Sequence, residues 1–202
     1  MDDIMADTTE TDRSAATRAR LMDAAREAFA AKGFHATTTR DIAAAAGMSP
    51  AALYIHHKSK EELLYLISKA GHELVLQLVR DAVASSSDRV EQLRTVVRSW
   101  VDYHLRDYTM ARIVNYELSA LTPPHQDEIT ALRRSAVQEV EAIVRAGVRS
   151  GAFTTRQPAL ATTAILSLAV DTSRWFPESA WKRKQVTDYY ATLALLIVGA
   201  KA

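Results

Sequence analysis

The sequence predicts an all-α fold of about nine helices, made of a small N-terminal domain and a larger C-terminal domain. Apolar residues recur at helical spacing along the chain, and the first such stripe is Leu21, Ala24, Ala25, Ala28 and Phe29. The 202 residues include only 6 Gly and 5 Pro, so few positions interrupt a helix. The apolar–polar alternation of a half-buried strand is absent from the sequence. These three observations favour an all-helical protein.

The helix boundaries are clearest in the N-terminal part. Gly33 follows the first stripe and is typical of a helix end. Thr38 and Asp41 form a capping-box pattern that predicts the start of a second helix, which ends at Gly47. Ser49 is a good N-cap, and it predicts a third helix that ends by about His57. Residues 38–57 therefore form a helix-turn-helix, a unit that binds DNA in many proteins and is a plain αα corner in others.

A longer fourth helix follows. Ser59 and Glu62 predict its capping box, and its apolar stripe is expected at Leu63, Ile67, Ala70, Leu74 and Leu78. Further helices are separated by breaks at residues 85–88, at Pro123-Pro124, at Gly151 and before Pro158. The last two helices are apolar around most of their circumference, so each needs cover on every side. We expect them to form a four-helix interface between two subunits; burial inside a monomer core is the alternative.

The charges are unevenly distributed. Residues 1–12 carry five acidic residues and no basic one, and this stretch is predicted to be a disordered acidic tail. Residues 13–60 carry eight Lys and Arg against three Asp and Glu, a net charge of +5. Such a segment suits a module that binds phosphates, although a solvated helix surface can also carry this charge.

Several classes of function are excluded by composition and motifs. The chain has no cysteine, so disulfides and cysteine metal sites are excluded. It has no nucleophile elbow, no glycine-rich phosphate loop and no His-Glu-x-x-His motif, so we expect no enzyme activity, no cofactor and no metal site. No apolar run is long enough to span a bilayer, and residues 1–4 lack the character of a signal peptide. We therefore expect a cytoplasmic protein without membrane contact.

The helix-turn-helix resembles the N-terminal signature of the TetR family of repressors. The resemblance covers about residues 15–65 and is carried by Thr38-Thr39-Arg40-Asp41-Ile42-Ala43, Ala46-Gly47-Met48-Ser49 and Leu53-Tyr54-Ile55-His56-His57-Lys58-Ser59-Lys60-Glu61-Glu62-Leu63. It implies a three-helix DNA-binding domain at residues 13–60 and a helical effector-binding and dimerisation domain at residues 61–202. It also implies a ligand-responsive repressor that binds a palindromic operator in double-stranded DNA as a homodimer and is released by a small-molecule effector.

The same resemblance assigns roles in DNA binding. The residues where family members contact phosphates are Thr39, Tyr54, His56 and Lys60, and those at base-reading positions are Arg40, Ser49, Pro50, Ala51 and Ala52. These side chains suit the task, because hydroxyls and cations bind phosphate oxygens and Arg pairs with guanine. Two residues depart from the family pattern: Ala51 stands where glycine is frequent, and His57 where phenylalanine is common. We expect the first to alter the approach to the groove and the second to weaken the core beside the third helix.

The effector site is expected among the middle helices of the C-terminal domain. The aromatic and polar candidates are Trp100, Tyr103, His104, Arg112, Asn115, Tyr116, Arg133, Arg174 and Trp175. Arg174-Trp175-Phe176 resembles a pattern in TetR-type regulators of lipid and sterol breakdown, which implies an acyl-CoA or other lipid-related effector. Basic side chains at Lys182, Arg183 and Lys184 would then meet a CoA phosphate. The alternatives are a transcriptional activator of the same fold and a helical ligand-binding module that no longer binds operator DNA.

Overall fold

The computed structural model describes the backbone of residues 2–200 and the side chains of residues 13–177 and 179–200. Within this part of the chain there are nine α-helices and no strand, so the predicted all-α class is confirmed. The helices are α1 (Asp2–Lys32), α2 (Thr39–Ala45), α3 (Pro50–His56), α4 (Lys60–Ala84), α5 (Arg89–Arg106), α6 (Tyr108–Tyr116), α7 (Pro123–Ser150), α8 (Pro158–Trp175) and α9 (Arg183–Val198). Short 3-10 helices follow α6 (Leu118–Ala120) and α8 (Phe176–Glu178).

The N-terminal helix is longer than the sequence predicts. In the structure the backbone of residues 2–12 continues α1, whereas the sequence predicts a disordered tail there. Residues 1–12 contain neither glycine nor proline, so nothing in the sequence stops the helix. The side chains of residues 1–12 lie outside the described residues. The assignment of this stretch as a disordered acidic tail stays a prediction.

The apolar residues form two cores. The first joins α1, α2, α3 and the first turns of α4, and it also takes in Ile113 from α6 and Ile129 from α7. The second lies among α4, α5, α7, α8 and α9. Helix α4 contributes Leu63 and Ile67 to the first core and Val79 to the second. It therefore runs through both cores, and the predicted domain boundary at residue 60 lies at its first residue.

The buried face of α4 differs from the predicted stripe. Ala70 and Leu74 are exposed. The buried positions are Leu63, Leu64, Ile67, Ser68, Gly71, His72, Val75, Leu76, Val79 and Ala82. The prediction is confirmed at Leu63 and Ile67 and wrong at Ala70 and Leu74. It followed apolar residues alone, while the buried face also includes the small or polar residues Ser68, Gly71 and His72.

Two glycines shape the end of α7. Gly151 caps the helix at φ +76°, the left-handed conformation that glycine adopts without strain. Gly147 lies under the ring of Phe153, since a Cβ at this position would stand 2.1 Å from Phe153 Cδ2. The chain thus folds back over α7 at residue 153 and leads into α8. Within residues 2–200, no helix combines the length and the apolar character needed to cross a membrane.

Candidate functional site

Helix α2 begins at the capping box that the sequence predicts. The Thr38 hydroxyl accepts a hydrogen bond from the Asp41 N–H at 3.2 Å, and Asp41 Oδ2 accepts one from the Thr38 N–H at 2.8 Å. Lys32 Nζ lies 2.8 Å from Asp41 Oδ1. The hydrogen bond from Lys32 and those from Thr38 hold the pKa of Asp41 well below its usual range. The end of α1 is therefore tied to the start of α2.

The turn between α2 and α3 is fixed from both sides. Gly47 adopts φ +67°, and the Met48 N–H donates to the Ala43 carbonyl at 2.8 Å. Arg20 Nη2 of α1 donates to the Ala46 carbonyl at 3.3 Å. The Ser49 hydroxyl accepts from the Ala52 N–H at 3.2 Å, which confirms its predicted role as N-cap of α3. The crossing of the two short helices is thus set by local hydrogen bonds.

The predicted base-reading residues lie at the surface of this unit. Arg40, Ser49, Pro50 and Ala51 are exposed and Ala52 is partly buried. The buried residue of α3 is Leu53, which packs into the N-terminal core. A face of α3 without bulky side chains at its first turn is therefore available to a groove in DNA.

Two predicted phosphate contacts lie side by side. Thr39 Oγ1 and Tyr54 Oη are 3.2 Å apart, which joins the start of α2 to the third helix. Tyr54 is 54% exposed and His56 is partly buried. Ile55, which the sequence analysis did not select, is 80% exposed on the same short helix. Its side chain faces outward because of the orientation of α3, which the sequence alone does not give.

Lys60 has an unexpected set of partners. Its ammonium donates to the carbonyls of Phe34 at 2.9 Å, Thr37 at 2.8 Å and His35 at 3.4 Å, and it lies 4.4 Å from the centre of the Phe34 ring. Three carbonyls match the three donors of an ammonium group. Lys60 therefore holds the loop between α1 and α2, and its contact with a phosphate stays a prediction.

His57 fills the position where the family commonly has phenylalanine. Its side chain is 4% exposed, and neither ring nitrogen has a hydrogen-bond partner in the described part of the chain. Burial lowers the pKa of His57, the charges of His56 and Arg18 act in the same direction, and Glu62 opposes them. The ring is therefore neutral at pH 7 and serves as a core side chain, with the cost of two unpaired polar atoms.

The C-terminal domain contains a cavity of about 560 Å³ among α4, α5, α6, α7 and α8. Its size lies in the range of small-molecule sites. Six of the nine predicted effector residues line it: Trp100, Tyr103, His104, Asn115, Tyr116 and Arg133. The remaining wall is mostly apolar and includes Val75, Val114, Leu132, Ala136, Val137 and Leu166.

The other three predicted residues lie elsewhere. Arg112 and Arg174 line a neighbouring cleft that is bounded by the end of α1, and Tyr116 lines both the cavity and this cleft. Trp175 stacks with Tyr190 of α9 and meets Trp181, which precedes α9, edge to face. The sequence could not assign residues to the cavity, the cleft or the aromatic cluster, because neighbouring positions on α6 and α8 face different parts of the fold.

The hydrogen bonds of His104, at one side of the cavity, determine its tautomer. His104 Nδ1 lies 2.8 Å from the Trp100 carbonyl, and His104 Nε2 lies 3.3 Å from Asn115 Nδ2. A carbonyl only accepts, so Nδ1 carries the proton and Nε2 accepts from the amide. Burial lowers the pKa of His104, in agreement with this neutral tautomer. The Asn115 amide nitrogen also donates to the Ala111 carbonyl at 2.8 Å.

Two buried polar atoms in the wall lack partners in the described part of the chain. They are His72 Nε2 and Trp100 Nε1, on side chains that are 7% and 8% exposed. Burial lowers the pKa of His72 to about 4, and the charge of Arg133 adds to the shift. His72 was not among the predicted effector residues, because the stripe predicted for α4 contained apolar residues alone.

Arg133 is the fixed positive charge in the cavity wall. No ion pair or hydrogen bond of its guanidinium is present among the described residues, and burial lowers its pKa. The carboxylate in the same wall, Asp171, lies 3.6 Å from Arg174 and is half exposed. Polar groups of this kind at an apolar cavity are typical of a ligand site.

Helix α4 connects the N-terminal unit to the cavity wall. Its first turn is joined to α7 through Glu61 Oε1, which accepts from the Thr122 N–H and lies 2.8 Å from His125 Nδ1. Burial opposes ionisation of Glu61, but these hydrogen bonds outweigh it and lower its pKa. Farther along, Lys69 Nζ lies 2.6 Å from Glu128 on α7, and Gly71 and His72 then reach the cavity.

Two family models match the chain in order. Residues 21–65 match the model described as bacterial regulatory proteins, tetR family, and residues 86–198 match the Tetracyclin repressor-like C-terminal domain. The chain belongs to the TetR family of transcriptional regulators. The resemblance inferred from the helix-turn-helix is thereby confirmed, and it extends over the C-terminal domain.

Named relatives and solved structures agree with this assignment. The repressor KstR2 of Mycobacterium tuberculosis is 26% identical over 186 residues, which cover 88% of this chain and 90% of KstR2. The activator FasR of Mycolicibacterium smegmatis is 26% identical over 160 residues, which cover 79% and 71% of the two chains. A tetR-family regulatory protein from Rhodococcus RHA1 shows 40% identity and a TM-score of 0.87, covering 92% of this chain and 98% of its own.

A fourth comparison has the same fold at lower identity. The crystal structure of AibR in complex with isovaleryl coenzyme A and operator DNA has a TM-score of 0.81 at 23% identity. The alignment covers 92% of this chain and 100% of that chain. Over nearly the whole described chain, the architecture is therefore that of a TetR-type regulator.

Proposed function

We propose that this TetR-family regulator is a repressor that binds a palindromic operator as a homodimer and is released by a small-molecule effector. The observation that carries the proposal is the course of α4. One continuous helix is clamped to the α1–α2 loop by Lys60 and forms part of the cavity wall at Gly71, His72 and Val75. A ligand that displaces this wall changes the position of the helix-turn-helix.

The DNA-binding part of the proposal rests on α2 and α3. Both helices present capped N-termini and exposed polar side chains at the same surface, and helix N-termini favour phosphate oxygens. Arg40 suits a guanine, and Ala51 and Ala52 suit thymine methyl groups. The net charge of +5 in residues 13–60 predicts binding that weakens steeply with salt.

The homodimer part rests on the surface of α8 and α9. Large apolar side chains there are exposed in the single chain: Leu160 62%, Leu168 41%, Tyr189 67% and Leu196 71%. Exposed apolar surface of this kind is typical of protein interfaces. A two-fold axis through these helices would bury both copies of the patch and set the spacing of the two DNA-binding units.

For the effector we propose an acyl-CoA or another lipid-related compound. The AibR complex contains isovaleryl coenzyme A in a protein of the same fold. In this chain the apolar cavity suits an acyl group, and the cleft that shares Tyr116 with it holds the exposed guanidinium of Arg112 and that of Arg174. Arg183 and Lys184 are less suitable for phosphates, because they pair with Asp102 at 3.0 Å and Asp188 at 2.5 Å.

The test is a titration of purified protein against a DNA fragment that contains its own upstream region, at two salt concentrations. We expect specific retardation that Arg40→Ala abolishes, while Arg156→Ala, at an exposed site in the C-terminal domain, binds as the wild type does. Acyl-CoAs added to the complex are expected to release the DNA. If acyl-CoAs do not release the DNA, this class of effector is rejected, and the proposal that the protein binds operator DNA is unaffected.

Two observations would redirect the proposal. Increased transcription from the bound promoter would assign an activator, the role of the relative FasR. Failure to bind any genomic fragment above the nonspecific level would favour the ligand-binding module without operator DNA. The cavity and the DNA surface are thus tested separately.

A further inference from the structure

The described lining of the cavity contains a fixed cation without a counterion. Among the described residues that line it, Arg133 is the permanently charged base, and no carboxylate lies within ion-pair distance of it. Asp171 is instead paired with Arg174 at 3.6 Å. His72 and His104 are both neutral at pH 7, because burial lowers the pKa of each. Arg133 is partly buried, and a partly desolvated charge without a partner carries a cost that an anion from outside would offset.

The unpaired groups are biased toward hydrogen-bond donors. An arginine guanidinium has five N–H donors and no acceptor, and an indole has one donor and no acceptor. Trp100 Nε1 is buried without a partner in the same wall as Arg133. Donors in an apolar cavity select a ligand group made of acceptor oxygens, and a planar carboxylate matches a guanidinium in two parallel hydrogen bonds.

We infer that the part of the effector that enters this cavity carries a carboxylate on an apolar body, and that Arg133 with Trp100 receives the carboxylate. Among the proposed lipid-related effectors, this selects a compound with a free carboxylate over a simple acyl-CoA, whose acyl group ends in a neutral thioester. The inference rests on the proposed function, since it takes the cavity to be the effector site, and it specifies the chemical group that is recognised. The apolar wall of Val114, Ala136 and Val137 contacts the body of the ligand. His72 Nε2 lies in the same wall and is available for a further hydrogen bond.

The test separates the charge from the apolar body. The neutral fluorophore N-phenyl-1-naphthylamine reports occupancy of the cavity, and Val137→Trp, which fills part of it, is expected to weaken dye binding. Straight-chain acids from hexanoate to palmitate and a set of aromatic acids then compete with the dye, each beside its methyl ester. We expect the best acids to displace the dye at concentrations roughly tenfold or more below those of their esters.

Substitutions test which residues produce the preference for acids over their esters. Arg133→Met replaces the guanidinium with an apolar side chain of similar length and is expected to abolish the preference for acid over ester. Arg133→Lys keeps the charge and retains part of the preference. Trp100→Phe, which removes the N–H and keeps an aromatic ring, is expected to reduce the preference for acid over ester. Arg134→Met, at the exposed neighbouring position, serves as the matched control and behaves as the wild type does.

Two kinds of result would contradict the inference, and they differ in what they say about the cavity. If the dye binds but acids displace it no better than their esters, or if Arg133→Met retains the preference, the carboxylate inference is overturned and the proposed effector cavity stands. If the dye binds equally to the wild type and Val137→Trp, or to neither, the cavity is not a ligand site. The proposed effector function then fails together with the inference.

Discussion

Lys60 Nζ lies 2.8 Å from the carbonyl oxygen of Thr37, the residue that immediately precedes the N-cap of α2. The Thr37 hydroxyl is in turn bonded to the carbonyls of Gly33 at 2.7 Å and Ala28 at 3.1 Å. The first residue of α4 therefore holds the end of α1 and the start of α2 together. We conclude that Lys60 positions the helix-turn-helix from the side opposite the proposed DNA surface.

This role predicts a particular effect of Lys60→Ala. Operator affinity should fall because the α1–α2 loop loosens, while the slope of log affinity against log salt stays that of the wild type. Lys58→Ala, at an exposed position of the same turn, should lower the slope by about 1 if Lys58 contacts a phosphate. DNA titrations at four salt concentrations measure both slopes. A reduced slope in Lys60→Ala would assign Lys60 a phosphate contact after all.

Removal of the α3 cap should destabilise the N-terminal unit. Ser49→Ala deletes the acceptor for the Ala52 N–H, and loss of an N-cap costs about 1 kcal/mol of the free energy of unfolding. Denaturant unfolding followed by circular dichroism measures this cost. Ser87→Ala, in the exposed connection before α5, is the control and should leave stability unchanged. Equal midpoints for the two variants would contradict the assigned cap.

Gly147 should not tolerate any side chain. A Cβ there would stand 2.1 Å from the Phe153 ring, so Gly147→Ala should cost about 2 kcal/mol or more through overpacking. Gly71→Ala is the matched helical control, because its Cβ would meet the flexible Tyr103 hydroxyl at 3.1 Å. Adding Phe153→Leu to Gly147→Ala should restore part of the stability. Thermal unfolding of the three variants measures these effects. Equal losses of stability in Gly147→Ala and Gly71→Ala would contradict the close packing of Phe153 on Gly147.

Acid should destabilise the folded protein through its buried histidines. His72 has a folded pKa of about 4, whereas an unfolded histidine titrates near pH 6.5. The unfolded chain therefore gains protons first, and stability that is complete at neutral pH decreases as the pH falls from about 6.5 to about 4. Over this pH range, the free energy of unfolding of His72→Phe should decrease by about 1–3 kcal/mol less than that of the wild type. His56→Phe, on the partly buried surface of α3, should follow the wild-type curve in urea titrations.

Local chemistry made the N-terminal unit predictable. The caps at Thr38 and Ser49 and the turn at Gly47 are set by neighbouring residues, and the structure places each where the sequence indicates. The capping box predicted at Ser59 is half present, because Glu62 accepts from the Lys58 N–H rather than from that of Ser59. Such details depend on the path of the chain before the helix, which the pattern does not contain.

The cavity was less predictable because it depends on long-range packing. Six aromatic and polar residues selected from the middle helices do line it, yet Arg112, Arg174 and Trp175 face other neighbours. His72 was missed because a polar residue on the buried face of α4 interrupts the apolar pattern used to find that face. The contacts of Lys60 with the α1–α2 loop and the exposure of Ile55 likewise depend on the orientation of α4 and α3, which the sequence does not give.

The most direct test of the account is selection of the DNA that the full chain binds from a library of genomic fragments. The account predicts that the enriched fragments share a palindrome whose half-sites lie about one helical turn apart, and that Arg40→Ala loses this enrichment while it remains folded. Enrichment of no common sequence by the wild-type protein, at low and at moderate salt, would contradict the proposal that this chain is an operator-binding repressor.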